Sequence, residues 1–379
     1  MIDIRVMASA LRVLAGGEFA RYHTSNVSEV ERFEREMQNF LGVGHVLGVN
    51  SGTSALICAL VGCGIGPGDE VLVPAYTWVA TAAAPLAIGA VPVLTEINQT
   101  LTIDPEDIRR KISPRTKAII VVHMLNLVCD MDAILAIAKE HDLLVIEDAC
   151  QAVGVTYRGR RCGTMGDAGA FSFNVLKNIQ SGEGGAVMTN SQRTFTRALM
   201  YHDVGSYIRA GRGDASEPPF IGQNYRMTNL AAAVLRAQIG RLDKKLKRRR
   251  DRRRYWLDKL SGSFGKNMKV SPHNDSDSAV AISVYFDDPE EARAFGSQRG
   301  IARLIDTDRH VYTNWKSIRS GATMHPKWDP YAWAASNDVR IREDSCPETL
   351  KILERTCEIK LFPEIPTLVY RRLVGNTKR

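Results

Sequence analysis

Between about residues 25 and 240 the chain alternates two hydrophobic periods, and this constrains its fold more than any other feature. TKAIIVVHML and DLLVIEDAC carry apolar, largely β-branched residues on consecutive positions, as strands covered on both faces do. EVLVPAY is a short buried strand, and DMDAILAIAKEHD, between the first two, is helical in period. SEVERFEREMQNFL opens on Ser28 as N-cap with Glu31 at capping-box spacing, and Val30, Phe33, Met37 and Phe40 fall on one helical face. HVLGVNSGTSALICALVGCG reads as strand, turn, helix. Strands alternating with helices predict an α/β fold with a mainly parallel sheet.

From about Asn224 the texture changes. NLAAAVLRAQIGRLDKKLKRRRDRRRYWLDKL is a long helical pattern without proline, which leads to strands such as AVAISVYFD and then to an irregular, Trp- and Pro-marked stretch. The expected division is a large α/β domain over 1–245 and a smaller α+β domain over 246–379.

At 379 residues, 44% hydrophobic and 24% charged, the composition is that of a soluble globular protein. Seven cysteines, odd in number and without metal-like spacing, predict reduced thiols and no metal centre. MIDIRVMASALRVLAGG is a poor signal peptide, broken by Asp3 and arginines. Trp78 to Leu94, the longest uncharged run, is interrupted by Pro85, Gly89 and Pro92 and falls short of the roughly 20 residues a membrane-spanning helix needs. A cytoplasmic protein with no membrane partner is expected. The net charge of +8 is matched by the run Lys244 to Arg254 alone, with nine Lys or Arg against one Asp. No reader motif accompanies it, so no nucleic-acid partner is expected, and the run reads as a solvated helix face or a contact for an anion.

Three segments bring chemistry to the carboxyl ends of strands, where ligands of open α/β sheets bind. NSGTSAL (50–56) is a small-residue turn into a helix, with Thr53 beside N–H groups that can hold a phosphate or simply be capped. VIEDACQAVG ends a strand on two carboxylates, Glu147 and Asp148, one of which can oppose a protonated nitrogen. FSFNVLKNIQSGEGG sets Ser172 and Lys177 after a strand; the lysine can be a phosphate ligand, a surface charge or a Schiff-base former. Each is ambiguous alone. In order, with the aromatic Trp78 after a strand and Lys177 lying 29 residues beyond Asp148, they match the needs of pyridoxal 5'-phosphate: an anion site, an apolar face, an acid for the pyridine nitrogen and an amine for the aldehyde.

The blocks GVNSGTSALICALVGCGIGPGDEVLVPAYTWVATAAAPLAIGAVPVL, EDACQAVG, GDAGAFSFNVLKNIQSGEGGAVMTN and GQNYRMTNLAAAVLRAQIGRLD resemble the DegT/DnrJ/StrS-type sugar aminotransferase family over roughly residues 25 to 245. The resemblance implies a fold-type-I, pyridoxal-phosphate-dependent transferase with a seven-stranded, mainly parallel sheet, working as a homodimer with shared active sites. It implies that Lys177 forms the Schiff base with the cofactor, that Asp148 pairs with the pyridine nitrogen, and that Gln151 lies beside the ring hydroxyl. Trp78 then stacks on the ring, Gly52, Thr53 and Ser172 contact the phosphate, and Asn224 reaches the phosphate of the partner subunit. The implied activity moves an amino group from L-glutamate or L-glutamine to a keto-sugar or keto-cyclitol in amino-sugar, antibiotic or polysaccharide synthesis. Relatives with histidine at the lysine position dehydrate sugars instead. The alternative activity is that of a dehydratase or an aminohydroxybenzoate-synthase-like lyase on the same fold.

The chain also departs from the family pattern. HMLNLVCDMD has Asn126 and Val128 where relatives read glycine and proline, and SDSAVAISVYF replaces a run typical of nucleotide-sugar members. DTDRHVYTNW resembles the matching part of cyclitol aminotransferases, so His310, Tyr312 and Trp315 line an acceptor pocket or pack the small domain. His123 is expected at the active site, although a buried hydrogen-bonded histidine is the other reading. Glu183 touches substrate or only the turn, and His202 and Asp203 are expected on a segment closing over the pocket.

Overall fold

The computed structural model describes residues 4–22, 27–206, 216–261, 267–275 and 279–360. Helices α1 (Ile4–Gly16) and α2 (Glu29–Leu41) precede the first strand. The predicted box closes α2 at its start: Ser28 Oγ accepts from Glu31 N, and the Glu31 carboxylate accepts from Ser28 N. Val30, Phe33 and Met37 are fully buried, while Phe40 is half-buried.

Strands β1 (His45–Val49), β2 (Glu70–Pro74), β3 (Val91–Thr95), β4 (Thr116–Val122) and β5 (Leu144–Asp148) alternate with α3 (Gly52–Gly62), α4 (Ala80–Ala87), α5 (Pro105–Lys111) and α6 (Met131–Glu140). A small hairpin, β6 (Thr156–Tyr157) and β7 (Arg160–Arg161), leads to β8 (Ala168–Ser172), β9 (Gly185–Thr189) and α7 (Gln192–His202). The main sheet has seven strands in the order β1-β9-β8-β5-β4-β2-β3. Pairings from β8 across to β3 are parallel, and β9 alone runs against its neighbours. Successive side chains of a strand face opposite sides. Leu72, Ile119, Val121 and Val145 join α2 and α6 in one core, and Val71, Val73, Ile120, Val122 and Ile146 join α3 and α7 in the other. Two covered faces explain the unbroken apolar runs.

The long helical pattern is two helices, α8 (Asn229–Ile239) and α9 (Leu242–Ser261), parted at Gly240. Glycine weakens a helix interior by about 1 kcal/mol relative to alanine, so a change of direction there costs little. Leu242 and Leu246 of α9 sit in the first core, whereas Trp256 packs with Ile282, Val284 and Ile359 of a second sheet. That sheet is antiparallel, β10 (Met268–Val270), β11 (Ile282–Phe286), β13 (Thr356–Ile359) and β12 (Ile301–Arg303) in spatial order. Residues 276–278 of SDSAVAISVYF, and the last 19 residues of the chain, lie outside the described residues.

The solvated-face reading of the basic run holds for Lys247 and Arg254, which pair with Asp251. It fails for Lys245, Arg249 and Arg253, spaced one helical turn apart and turned into the protein. Arg253, buried, donates from Nε to Ala281 O at 2.7 Å. All seven cysteines are free thiols. Among the described residues no helix is long and apolar enough to cross a membrane.

His202 and Asp203 are core residues that line neither of the cavities described below. Asp203 pairs with Arg226, and His202 Nδ1 bonds the Leu199 carbonyl. Burial, reinforced by the Arg21 charge, holds His202 well below the ordinary imidazole range. As pH falls below about 6.5 the unfolded chain takes up a proton that the folded one refuses, so stability is lost on acidification. In urea unfolding between pH 7.5 and 5, His202→Gln is expected to flatten this slope by up to about 1.4 kcal/mol per pH unit; an unchanged slope contradicts the assignment.

Candidate active site

At the carboxyl end of β5 the alternation of the strand separates the two acids. Glu147 points into the core that holds α2 and α6. It accepts from the backbone N–H groups of Gly163, Met165 and Gly166 at 2.7, 2.5 and 2.7 Å, and from His123 Nε2 at 3.0 Å. His123 Nδ1 in turn accepts from Cys129 N, which leaves the ring proton on Nε2. Histidine 123 is therefore a buried structural residue, not the active-site group expected from its place at the end of β4.

Asp148 points the other way, into a cavity of about 300 Å³. Gly52, Thr53, Trp78, Gln151, Ser172 and Lys177 line the same cavity, so seven of the eight candidates converge there. The eighth, Asn224, pairs with Asp203 in an isolated bridge and does not line the cavity of its own chain.

The anion side is built from close backbone approach. Ser51 caps α3, its Oγ accepting from Ser54 N at 3.0 Å. The N–H groups of Gly52 and Thr53, which have no acceptor within the helix, stand at the cavity wall. A Cβ on Gly52 would lie 2.7 Å from Ser172 Cβ and 3.0 Å from Cys150 Sγ; one on Gly185 would lie 2.2 Å from Ser51 O. Glycine at both positions lets the start of α3 sit directly on β8 and β9. The result is a small cradle of N–H and hydroxyl donors that suits a phosphate.

The acid side carries a relay the sequence reading missed. Thr81 Oγ1 donates to Asp148 Oδ2 at 2.8 Å, Thr77 Oγ1 lies 2.8 Å from Thr81 Oγ1, and Cys150 N donates to Asp148 Oδ1 at 3.2 Å. Both threonines stand in VPAYTWVAT, one helical turn apart around Trp78, a spacing that could have signalled them. Cys150 lines the cavity, and burial and the neighbouring Asp148 push its thiol well above the ordinary range, which disfavours the thiolate. Trp78, 41% exposed, offers an aromatic wall and packs on His310 with ring centroids 5.3 Å apart. Glu183 lines the cavity and accepts from Asn174 Nδ2 at 3.0 Å, which ties the turn together.

Through Gln151, Leu176, Lys177 and His310 the site opens into a second cavity of about 740 Å³, between the end of the main sheet and the second sheet. Tyr76, Arg249, Arg303 and Glu358 also line it. His310 belongs to it; Tyr312 and Trp315 do not. They are buried, with Tyr312 OH on Glu343 O at 2.6 Å and Trp315 Nε1 on Arg309 O at 2.8 Å, which is packing. Burial, with a further push from the Lys177 charge, holds His310 below the ordinary imidazole range.

A phosphate cradle, an aromatic wall, a hydrogen-bonded acid and an amine around one cavity fit pyridoxal phosphate. Comparison with known proteins agrees. Residues 7–367 match the model of the DegT/DnrJ/EryC1/StrS aminotransferase family. The GDP-perosamine synthase of Caulobacter vibrioides is 37% identical over 84% of this chain and 84% of its own. The L-glutamine:2-deoxy-scyllo-inosose aminotransferase of Micromonospora echinospora is 39% identical over 63% of this chain and 59% of its own. Among solved structures, DesV of S. venezuelae superposes with a TM-score of 0.75 at 30% identity, covering 98% of this chain and 92% of that one. The chain belongs to the DegT/DnrJ/EryC1/StrS aminotransferase family. It is a pyridoxal-phosphate-dependent aminotransferase of fold type I.

Two substitutions probe the cradle and the relay. Gly52→Ala forces α3 off β8 and is expected to weaken cofactor binding by at least about tenfold in a fluorescence titration. Thr81→Val removes a hydrogen bond to a carboxylate, of the kind worth about 1.5–3 kcal/mol, and is expected to weaken it by about 10- to 100-fold. Affinities equal to wild type would remove both residues from the site.

Proposed function

We propose that this enzyme transfers the amino group of L-glutamate or L-glutamine to the ketone of a sugar or cyclitol, as a homodimer in the cytoplasm with active sites shared between subunits. The observation that carries this reading is the convergence of Lys177, Asp148 and the Gly52–Thr53 cradle on one cavity that opens into a second, much larger one. The volume of the larger cavity, about 740 Å³, is within the range of small-molecule sites.

Bound pyridoxal phosphate supplies an electron sink for breaking the Cα–H bond of the donor. The rest falls to the chain. The N–H groups of Gly52 and Thr53 and the Ser172 hydroxyl would hold the phosphate. Asp148, oriented by Thr81 and the Cys150 N–H, would keep a proton on the ring nitrogen. Gln151 would orient the ring hydroxyl, and Trp78 would exclude water from the ring. Lys177 would bind the aldehyde and, as a free amine, would carry the proton at Nζ as general base and then acid. Lysine rather than histidine at this position favours transamination over the dehydratase alternative.

The shared site draws support from surface chemistry. Val175 and Leu176, next to Lys177, are 58% and 85% exposed, and Ile4, Met7, Leu11 and Leu14 form an exposed apolar stripe along α1. Asn224, away from the cavity of its own chain, would reach that of the partner. The domain division at 245/246 is retained in this reading, with α9 bridging both cores.

Lys177→Ala is expected to lower turnover more than about 10³-fold and to abolish the visible absorbance of bound cofactor. An unchanged rate refutes the reading. Incubating the pyridoxamine-phosphate form with keto-cyclitols and nucleotide keto-sugars, and following return of that absorbance, identifies the acceptor class. Subunits carrying Lys177→Ala and Asn224→Ala, each weak alone, are expected to regain activity when mixed and exchanged, because a mixed dimer holds one site with both residues intact. No recovery, or a monomer in sedimentation, overturns the shared site.

A further inference from the structure

Lys177 stands on a segment, residues 174–182, that has no place in the sheet beyond a single bridge between Asn174 and Gly182, and its tip is exposed at Val175 and Leu176. The next residue, Asn178, is only 3% exposed and anchors the segment. Its Nδ2 donates to Asn126 Oδ1 at 2.7 Å and to Val153 O at 2.9 Å. Its Oδ1 accepts from an Arg249 guanidinium N–H at 2.6 Å, and its carbonyl accepts from Lys245 Nζ at 2.8 Å. The two charge-assisted bonds, stronger than neutral ones, come from successive turns of α9, inside the basic run.

Asn126 lies in a tight turn with Leu125, both left-handed at φ 63° and 54°. Asparagine is among the side chains that tolerate this region best, which accounts for its replacing glycine here. Leu125 N donates to Gln151 Oε1 at 3.0 Å. One turn thus bonds Gln151 on one side and Asn178 on the other, and Arg249 closes the chain of bonds from outside.

We propose that Arg249, acting through Asn178, is a positioning residue for Lys177: it pins the base of the lysine segment to the turn that holds Gln151, and so sets the spacing of Nζ from the cofactor's reactive carbon and ring hydroxyl. The proposal rests on the reading of Lys177 as the cofactor-binding amine. Displacement of a reacting group by about 1 Å can cost about 100-fold in rate, so a loosened anchor shows in chemistry before it shows in binding.

The test uses cofactor-loaded full-length protein with L-glutamate or L-glutamine as donor. In Arg249→Met, kcat of the donor half-reaction is expected to fall about ten- to a hundredfold with donor KM within about threefold of wild type. The pH midpoint of the visible cofactor band is expected to move by about half a unit or more. Arg249→Lys, which keeps one donor, restores part of both, and Lys247→Met, a charge loss on the outer face of the same run, changes neither. If Arg249→Met does not fold, Asn178→Ser decides on the same readouts. An unmoved midpoint with unchanged kcat overturns the proposal, and so does a rise in KM alone, which would make Arg249 a substrate contact. A wild-type protein with no cofactor band overturns the reading of Lys177 and this proposal together, whereas an intact band that the variants do not perturb sinks the proposal alone.

Discussion

The active site depends on how one strand end disposes of two adjacent carboxylates. Burying an ion without partners costs several kcal/mol, and β5 brings Glu147 and Asp148 to the same depth. Glu147 is accommodated by four donors, three of them backbone N–H groups of the segment 163–166 that returns the chain to β8. That segment passes so close to β8 that a Cβ on Gly169 would lie 2.1 Å from Gly163 O. By anchoring it, Glu147 sets where β8 runs, and hence where Ser172 and the lysine segment begin. The neighbouring acid is then free to face the cavity, where Thr81 Oγ1 and Cys150 N donate to it and its remaining capacity is directed at a ligand.

The second determinant is closeness of approach. A helix N-terminus binds an anion only if the helix can reach the site, and α3 reaches it because Gly52 and Gly185 remove the Cβ atoms that would meet Ser172 and Ser51. Asp148 and Ser172 end neighbouring parallel strands, β5 and β8. Asp148 and Ser172, the residues proposed for the ring nitrogen and the phosphate, therefore reach one cavity together, with Trp78 on its wall. The parallel register, not any single residue, spaces them.

Much of this was legible in the sequence. Strand and helix periods gave the α/β order, the Ser28 box and the buried face of α2, because local spacing dictates them. Asp148 and Ser172 were legible as polar residues at strand ends and Lys177 as an amine in the segment after a strand, each ambiguous alone, whereas the places of Gln151 and Gly52 came from the family resemblance. What was not legible depends on which way a side chain turns after the chain has folded. His123 and Glu147 look as functional as Asp148 in one dimension; only the alternation of β4 and β5 sends them inward. Tyr312 and Trp315 are polar-tipped aromatics whose tips find backbone carbonyls, so they pack where His310 does not. The break at Gly240 was hidden because both halves of the pattern are good helix.

The basic run shows the same limit from the opposite direction. Eleven residues with nine cations resemble a solvated face, and Lys247 and Arg254, paired with Asp251, lie on one. Lys245, Arg249 and Arg253 instead direct their charge at backbone and amide oxygens: the Asn178 carbonyl, the Asn178 side chain and the Ala281 carbonyl. The first two oxygens belong to the residue after Lys177, and the last precedes β11 of the second sheet. A helix anchored in both cores can hold the lysine segment and the far wall of the cleft in one frame. Long, always-charged side chains suit this task, since they reach across from a helix surface and donate to oxygens already committed to the fold.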